Sequence, residues 1–250
     1  MKPETYLPLA QILGARARVI IPAIFELRGA WTFRRALAEV RATLDYLDID
    51  RFSLLGHSFG GGLELGLACE NPDRVVECVF SDTLGVEERF GLAQEATRHP
   101  LGILRMATPP ATKAFFESII GHPAQMLAAA MWGFSSDREP YIYCVVANGI
   151  PCHVLWASRD SLLARSDGEE FARGLHATFN VASAARVNHD WMFCEPELFT
   201  KHLDRLGLQV FDGDSPAPGR RAPGRRAPGR RAPGRRAPSG RPSSGPAQSE

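Results

Sequence analysis

The residues best suited to covalent chemistry lie in the segment GHSFG (56–60). The apolar run RFSLL (51–55) leads directly into this segment, and a helix-forming run leads out of it. So sharp a turn between strand and helix strains the serine backbone and projects its hydroxyl beyond the sheet. Gly56 and Gly60 leave out side chains that would collide across the turn. The pattern predicts that Ser58 is a nucleophile.

A serine hydroxyl is a weak nucleophile at neutral pH and needs a base and a group that orients the base. Asp160 follows the apolar segment 151–158, and His189 follows the segment 177–187. Both would lie past the carboxyl ends of strands, at the sheet edge where Ser58 also lies. We expect His189 to take the Ser58 proton and pass it to the leaving group, with Asp160 orienting the imidazole.

Other titratable residues compete for these roles. Asp82 ends the apolar segment VVECVFS (75–81) and is a second candidate for the acid. His57 lies within the turn, where a packing or capping role is the ordinary one for a histidine. None of the histidines has a partner at the spacing of metal ligands, so we expect neither a metal nor a cofactor.

The elements that must position these residues alternate along the chain. The sequence predicts strands at 17–24, 51–56, 75–85, 151–158 and 177–187, and helices at 4–14, 31–49, 60–71, 161–175 and 195–206. Continuous apolar strands that alternate with helices favour an α/β fold, a mostly parallel sheet covered by helices on both faces. The exception is 86–149, a long and mostly helical insertion.

Three motifs together resemble those of the α/β-hydrolases. GHSFGG resembles their nucleophile elbow, VLWASRDSLL their acid loop and NHDW their histidine loop. The resemblance covers roughly residues 5–208, and the insertion 86–149 stands where that family carries a helical cap. A serine nucleophile disfavours the epoxide hydrolases and haloalkane dehalogenases of this family. The resemblance implies an acyl-enzyme mechanism on an ester, a thioester, an amide or a similar carbonyl compound.

The first residues of the chain depart from the family pattern. The family begins with strands, one of which leads into a His-Gly loop that supplies half of the oxyanion hole. The residue after the nucleophile, here Phe59, supplies the other half. Because Tyr6–Ala10 already resembles the family's first helix, we expect the first strands and that loop to be missing. A catalytically impaired or vestigial relative is therefore the alternative function.

Aromatic residues near the predicted active edge are candidates for a substrate pocket. Phe115 and Trp132 belong to the insertion, and Trp191 follows His189 by two residues. Placed over the sheet edge, they would line an apolar pocket and exclude water. Taken singly, each is more often a packing residue. As a group they indicate a small apolar carbonyl substrate.

Composition separates an ordered domain, 1–211, from a tail, 212–250. The formal net charge of +1 combines nine Arg and one acid in 215–250 (9 − 1 = +8) with 20 basic and 27 acidic residues elsewhere (20 − 27 = −7). From Ala217 the pentapeptide APGRR repeats four times, and the lack of large apolar residues predicts disorder. The arginines suit nucleic acid or another polyanion, a third and less favoured function, without aromatic residues for base stacking.

The apolar runs, the N-terminus and the cysteines bear on the cellular compartment of the protein. No run of about 18 apolar residues predicts a membrane-spanning helix, and the N-terminus lacks a signal-peptide pattern. The five Cys are scattered without a C-x-x-C pair, which argues against a disulfide framework and fits a reducing cytoplasm. We therefore expect a cytoplasmic protein in which Cys78, Cys144 and Cys152 are small buried apolar residues. The oligomeric state is not indicated.

Overall fold

The computed structural model describes residues 3–83, 109–160, 162–184 and 187–211. Within these ranges the side chains of 109–112, 114–115 and 134–135 are not described. The first part of the predicted insertion and the whole predicted tail, 212–250, lie outside the described residues.

A parallel sheet forms the centre of the described structure. Its strands are β1 (Phe52–His57), β2 (Val75–Ser81), β3 (Cys152–Ala157) and β4 (Thr178–Ala182), in the spatial order β1-β2-β3-β4. All three neighbouring pairs are parallel, so the four carboxyl ends lie at one edge of the sheet. The predicted mostly parallel sheet is confirmed.

Nine α-helices accompany the sheet in the described part of the chain. They are α1 (Leu7–Leu13), α2 (Phe33–Tyr46), α3 (Gly60–Glu70), α4 (Pro109–Gly121), α5 (Pro123–Ser135), α6 (Glu139–Ala147), α7 (Arg165–Gly174), α8 (Trp191–Cys194) and α9 (Pro196–Leu206). Short 3-10 turns span Pro3–Tyr6 and Gln209–Phe211. Helix α2 begins after Thr32, whose side chain accepts a hydrogen bond from the Arg35 amide at 3.2 Å.

Helices cover both faces of the sheet because successive strand residues point to opposite faces. Phe80 and Trp156 pack on one face with α3, α6 and α7. Val79 and Leu155 pack on the other face with α1 and α9. The central strands β2 and β3 are therefore buried on both faces, as parallel strands with continuous apolar sequences require.

The predicted strand at 17–24 is wrong. These residues form no strand, and none of their side chains is fully buried. Ile20 and Ile24 instead pack against a cluster between α2 and α3. Apolar β-branched residues favour a strand only where a neighbouring ladder can receive them, and Pro22 has no N–H to donate to one. In the described sheet β1 is consequently an edge strand, with Leu55 38% exposed.

A disulfide joins Cys69 at the end of α3 to Cys144 in α6, with their Cα atoms 5.7 Å apart. The argument against a disulfide framework missed this single bond, and the expectation that Cys144 is a small buried apolar residue is wrong. The two cysteines are 75 residues apart, and only the packing of α3 against α6 brings them together. Disulfides are typical of oxidising compartments, so the cysteines no longer argue for a reducing one. Cys78 and Cys152 are buried partners across β2 and β3.

Within the described ranges, no helix combines the length and the apolar character needed to cross a bilayer.

Candidate active site

Ser58 occupies a strained turn between β1 and α3. Its φ of +53° lies in the left-handed region, which a residue other than glycine seldom adopts. The turn is held from both sides: the Ser58 amide donates to the Ser81 carbonyl at 3.1 Å, and the Thr83 hydroxyl donates to the Ser58 carbonyl at 2.9 Å. Neighbouring contacts thus maintain a backbone conformation that is unfavourable by itself.

Glycines are required at two positions around this turn. A Cβ atom at Gly61 would collide with the side chain of Thr83, the residue that supports the Ser58 carbonyl. A Cβ atom at Gly56 would collide with the buried carboxyl group of Glu64 on α3. The close approach of α3 to the sheet, and with it the position of Ser58, depends on the absence of both side chains.

The structure brings Ser58, His189 and Asp160 together at the carboxyl edge of the sheet. His189 Nε2 lies 3.0 Å from Ser58 Oγ, and His189 Nδ1 lies 2.8 Å from Asp160 Oδ2. The other carboxylate oxygen, Asp160 Oδ1, accepts the amides of Leu162 at 2.8 Å and Leu163 at 3.0 Å. Asp160 can therefore hold the Nδ1–H tautomer, in which Nε2 is free to accept a proton from Ser58.

Several charges act on His189, whose side chain is almost fully buried. Burial disfavours the charged imidazole, but the hydrogen bond and charge of Asp160, with the charges of Asp82 and Asp190, outweigh it. Together they raise the pKa of His189. The acidic groups would therefore stabilise the imidazolium ion that forms when His189 takes a proton.

Asp82, the alternative acid, has other partners. It lies just past β2 with a φ of +45° and is fully buried. Its carboxylate accepts the Ala157 amide at 2.6 Å, the Trp191 indole N–H at 2.6 Å and the Ser81 hydroxyl at 2.8 Å. Burial and the charge of Asp160 raise the pKa of Asp82 to about 7. Of the two candidate acids, Asp160 is the one that hydrogen-bonds His189.

His57 supports the histidine loop through a hydrogen bond to its backbone. Its Nε2–H donates to the backbone carbonyl of His189 at 2.8 Å, and its ring meets Phe193 edge-on at a centroid distance of 5.2 Å. Burial and the neighbouring His189 lower the pKa of His57 to about 3, so the ring is neutral at ordinary pH. Sequence reasoning assigned His57 to packing or capping and missed this contact, since the loop 132 residues away is its partner.

Phe59 follows Ser58 at the N-terminus of α3, where backbone N–H groups have no partner within the helix. Its amide and the positive end of the helix dipole are placed beside Ser58. Its side chain contacts Phe25 and Trp31 at centroid distances of 5.7 Å and Trp132 at 5.5 Å. The turn thus has an aromatic cluster on one side.

The three residues predicted for a pocket lie in different surroundings. Trp132 stacks on Phe33 at a centroid distance of 4.2 Å and belongs to the aromatic cluster. Trp191 is fully buried behind the histidine loop, against Phe199. Phe115 is in α4, and its side chain lies outside the described residues. Where the chain is described, no group of three or more His, Cys, Asp or Glu side chains is arranged to hold a metal ion.

A family profile and two known proteins are similar to this chain in sequence. A sequence profile of the alpha/beta hydrolase fold matches residues 18–136. A candidate non-heme haloperoxidase of Mycobacterium phage D29 is 26% identical over 194 residues, which cover 68% of this chain and 67% of the relative. A 2-hydroxymuconate semialdehyde hydrolase of Pseudomonas sp. strain CF600 is 46% identical over 43 residues, 17% of this chain and 15% of the relative.

Solved structures give similarities over most of the chain. An enol-lactonase from Burkholderia xenovorans LB400 aligns with a TM-score of 0.61 at 17% identity, covering 83% of this chain and 87% of the other. A hydrolase from Oleispira antarctica aligns with a TM-score of 0.66 at 15% identity, covering 82% and 86%. Identities this low establish the fold alone. With the parallel sheet and the profile that matches residues 18–136, they show that this chain has the alpha/beta hydrolase fold.

Proposed function

We propose that the protein is a serine hydrolase that cleaves an ester or a similar carbonyl compound through an acyl-enzyme. The observation that carries this proposal is the pair of hydrogen bonds that joins Ser58 to His189 and His189 to Asp160. Ser58 itself is held in a left-handed backbone conformation at the start of a helix. Nucleophile, base and orienting acid therefore stand in the order that acyl transfer needs.

The first half of the reaction follows from this geometry. Ser58 Oγ attacks the substrate carbonyl carbon while its proton passes to His189 Nε2, and the carbonyl oxygen becomes an oxyanion. The Phe59 amide and the N-terminus of α3 lie on the side where that charge develops. The bond from the carbonyl carbon to the leaving oxygen then breaks, and His189 donates its proton to that oxygen, which departs as an alcohol. Ser58 Oγ now carries the acyl group as an ester.

The second half repeats these steps with water. His189 takes a proton from a water molecule, and the hydroxide attacks the acyl carbon of the Ser58 ester. The bond to Ser58 Oγ breaks, Ser58 recovers its proton from His189, and a carboxylic acid is released. Asp160 stays ionised throughout and stabilises the imidazolium that forms twice in each cycle.

The aromatic cluster beside the nucleophile supports an apolar substrate. Phe25, Trp31, Phe59 and Trp132 contact one another next to Ser58. An apolar acyl group held against such rings is shielded from water, which strengthens the electrostatic interactions at the reacting carbonyl. An enol-lactonase and a thermophilic esterase from Thermogutta terrifontis are among the similar structures, and their names agree with an ester-type substrate.

A fluorophosphonate probe tests the proposal, since it forms an adduct only with an activated serine. We expect one label per chain, located at Ser58 by peptide mass analysis and absent from Ser58→Ala. The matched control is Ser166→Ala in α7, which should label like the wild type because Ser166 is exposed and belongs to another helix. Hydrolysis of p-nitrophenyl acetate through octanoate should fall by on the order of 10³-fold or more in Ser58→Ala.

The same experiment distinguishes an impaired relative. A folded wild-type protein that neither labels nor hydrolyses any ester would contradict the proposal and favour a chain that keeps the geometry of the three residues without turnover. Labelling that persists in Ser58→Ala would place the reactive serine elsewhere.

A further inference from the structure

We propose that Asp82 is a positioning residue for the catalytic histidine: its carboxylate holds the histidine loop and sets the pH at which His189 can accept a proton. The part concerning turnover rests on the proposed serine-hydrolase function. The part concerning His189 is a property of the resting protein and can be measured without any substrate.

The first support is where the partners of Asp82 lie. One carboxylate oxygen, Oδ1, accepts the amide of Ala157, the last residue of β3, at 2.6 Å. The other, Oδ2, accepts the indole N–H of Trp191 at 2.6 Å. Ala157 precedes Asp160 by three residues, and Trp191 follows His189 by two. One carboxylate at the end of β2 thus ties together the two segments that carry the acid and the base.

The second support is the chemistry of the donors. A backbone amide and an indole can only donate, and the third partner, the Ser81 hydroxyl, donates at 2.8 Å. Three donors match an ionised carboxylate. A protonated Asp82 would have to direct its own proton to an acceptor, and of the three partners only Ser81 Oγ can become one. The arrangement therefore favours the negative charge that burial opposes.

The third support is the set of charges around Asp82. Asp160 from the acid loop and His189 from the histidine loop are the titratable groups that act on it most strongly. Burial and Asp160 favour the neutral acid, while His189 and the hydrogen bonds from Ala157 and Trp191 favour the ion. The resulting pKa is about 7. Asp82 consequently changes its charge in the range where a catalytic histidine works.

The direction of the effect on His189 follows from Coulomb attraction. An ionised Asp82 favours the imidazolium and so raises the pKa of His189, in the same direction as Asp160 and Asp190. Because His189 must be neutral to accept the Ser58 proton, the ionised Asp82 moves the acidic limb of the activity profile to higher pH. It also stabilises the imidazolium in the transition state, so its removal should lower kcat.

Two variants separate the charge of Asp82 from its hydrogen bond. Asp82→Asn removes the charge: we expect the acidic limb of kcat/KM to move down by about half a pH unit or more, with about tenfold lower kcat. Trp191→Phe removes the indole donor and leaves the charge: we expect a severalfold lower kcat and an acidic limb that does not move down. The matched control is His202→Phe, which keeps a ring against Trp191 and should change neither quantity.

Direct titration of His189 makes the test independent of turnover. With ¹³C-labelled histidine, the NMR titration of His189 should move to lower pH in Asp82→Asn and not in Trp191→Phe. If the wild type is unreactive towards fluorophosphonate but this shift appears, the proposed function fails and the role of Asp82 stands. If the wild type is reactive and Asp82→Asn leaves both titration and acidic limb in place, the role of Asp82 is overturned. Should Asp82→Asn not fold, the NMR titration of His189 in the wild type decides. Two inflections, one from His189 itself and one from Asp82, support the role, and a single inflection overturns it.

Discussion

Two regions of the molecule surround their buried acidic groups with different sets of hydrogen-bond donors. At the carboxyl edge of the sheet, Asp82 and Asp160 are each met by several hydrogen-bond donors. Beneath α3, in contrast, Glu64 is 3% exposed, and in the described structure neither of its carboxyl oxygens has a donor in ordinary hydrogen-bond geometry. The nearby Val79 and Gly56 amides and the Cys78 thiol offset its burial only in part. Burial penalises the charge in both places, but the donors at the sheet edge lie at full hydrogen-bond distance and offset more of the penalty.

This difference suggests a division of roles. Acidic groups that receive donors remain able to carry charge, and they surround His189, the imidazole that becomes charged in the proposed mechanism. The core beneath α3 contains an acid whose pKa burial raises, apolar side chains and, at the far end of the helix, a disulfide. Changes at the sheet edge should therefore alter rate more than stability, and changes beneath α3 should alter stability more than rate.

The largest effect is expected at Asp160. Asp160→Asn keeps the shape of the side chain, but its amide N–H donates to an unprotonated His189 Nδ1. The imidazole then carries its proton on Nε2 and cannot accept the Ser58 proton. We expect ester hydrolysis to fall by about 10³- to 10⁴-fold with little change in melting temperature. Asp167→Asn, on the exposed first turn of α7, is the control. A variant that kept a tenth of the wild-type rate would contradict this assignment.

The next effect is expected at the disulfide, on stability alone. Opening the bond between Cys69 and Cys144 frees a loop with a sequence separation of 75 residues in the unfolded chain. The loop-entropy relation gives a loss of about 4 kcal/mol in the free energy of unfolding. Cys69→Ser/Cys144→Ser should show this loss in denaturant titrations and keep its kcat at 25 °C.

The control for the disulfide variant is Cys194→Ser, which lies outside the bond and should leave stability nearly unchanged. A reductant should destabilise the wild type and have no effect on the double variant. If the reductant leaves wild-type stability unchanged, or if the double variant loses activity while still folded, the separation between the two regions breaks down.

A smaller effect, on rate, is expected at His57. His57→Phe removes the donor to the His189 carbonyl and keeps a ring against Phe193, so the histidine loop should become less well fixed. We expect about tenfold lower kcat. Because His57 is neutral throughout the working range, its loss should leave the acidic limb of the pH profile in place, unlike the loss of Asp82.

Phe193→Leu is the matched control for His57, because it removes the ring contact and retains the hydrogen bond to the loop. A large fall in kcat in Phe193→Leu with none in His57→Phe would show that packing, and not the hydrogen bond, positions the loop.

The meeting of the three residues could be predicted from the sequence because each directly follows an apolar run. In a parallel sheet all such positions share one edge, so Ser58, Asp160 and His189 converge whatever path the chain takes between them. The strained serine was predictable for a similar reason, since a strand, a short glycine-rich turn and a helix leave few backbone paths.

Other features depend on which elements become neighbours, and a local pattern carries no signal for that. The run at 17–24 has the composition of a strand, yet it packs on α2 and α3 as a loop. Cys69 and Cys144 meet only because α3 and α6 lie side by side. Asp82 was visible as an acid at a strand end, but its link to Trp191 crosses 109 residues.

The smallest effect, and the sharpest test of the difference between the regions, is at Glu64. Burial, and to a lesser degree the Cys152 thiol, raise the pKa of Glu64 well above its ordinary value. The folded state therefore binds this proton more tightly than the unfolded state does. The contribution is fully present below the unfolded pKa of about 4.3 and is lost as pH rises towards the folded pKa. The wild type should consequently lose stability with rising pH over this range.

Glu64→Met removes that dependence, since it fills the site with an apolar side chain that needs neither a proton nor a donor. At pH 8 we expect the variant to be more stable by about 1 kcal/mol, or about 3 °C in melting temperature, with kcat unchanged. The advantage should shrink towards pH 5, whereas Glu39→Met on the exposed face of α2 should show no such trend. A Glu64 variant equally stable relative to wild type at pH 5 and pH 8 would mean that the carboxyl group finds donors in solution. Hydrogen-bond donors would then stabilise the buried carboxylate beneath α3 as they do at the sheet edge.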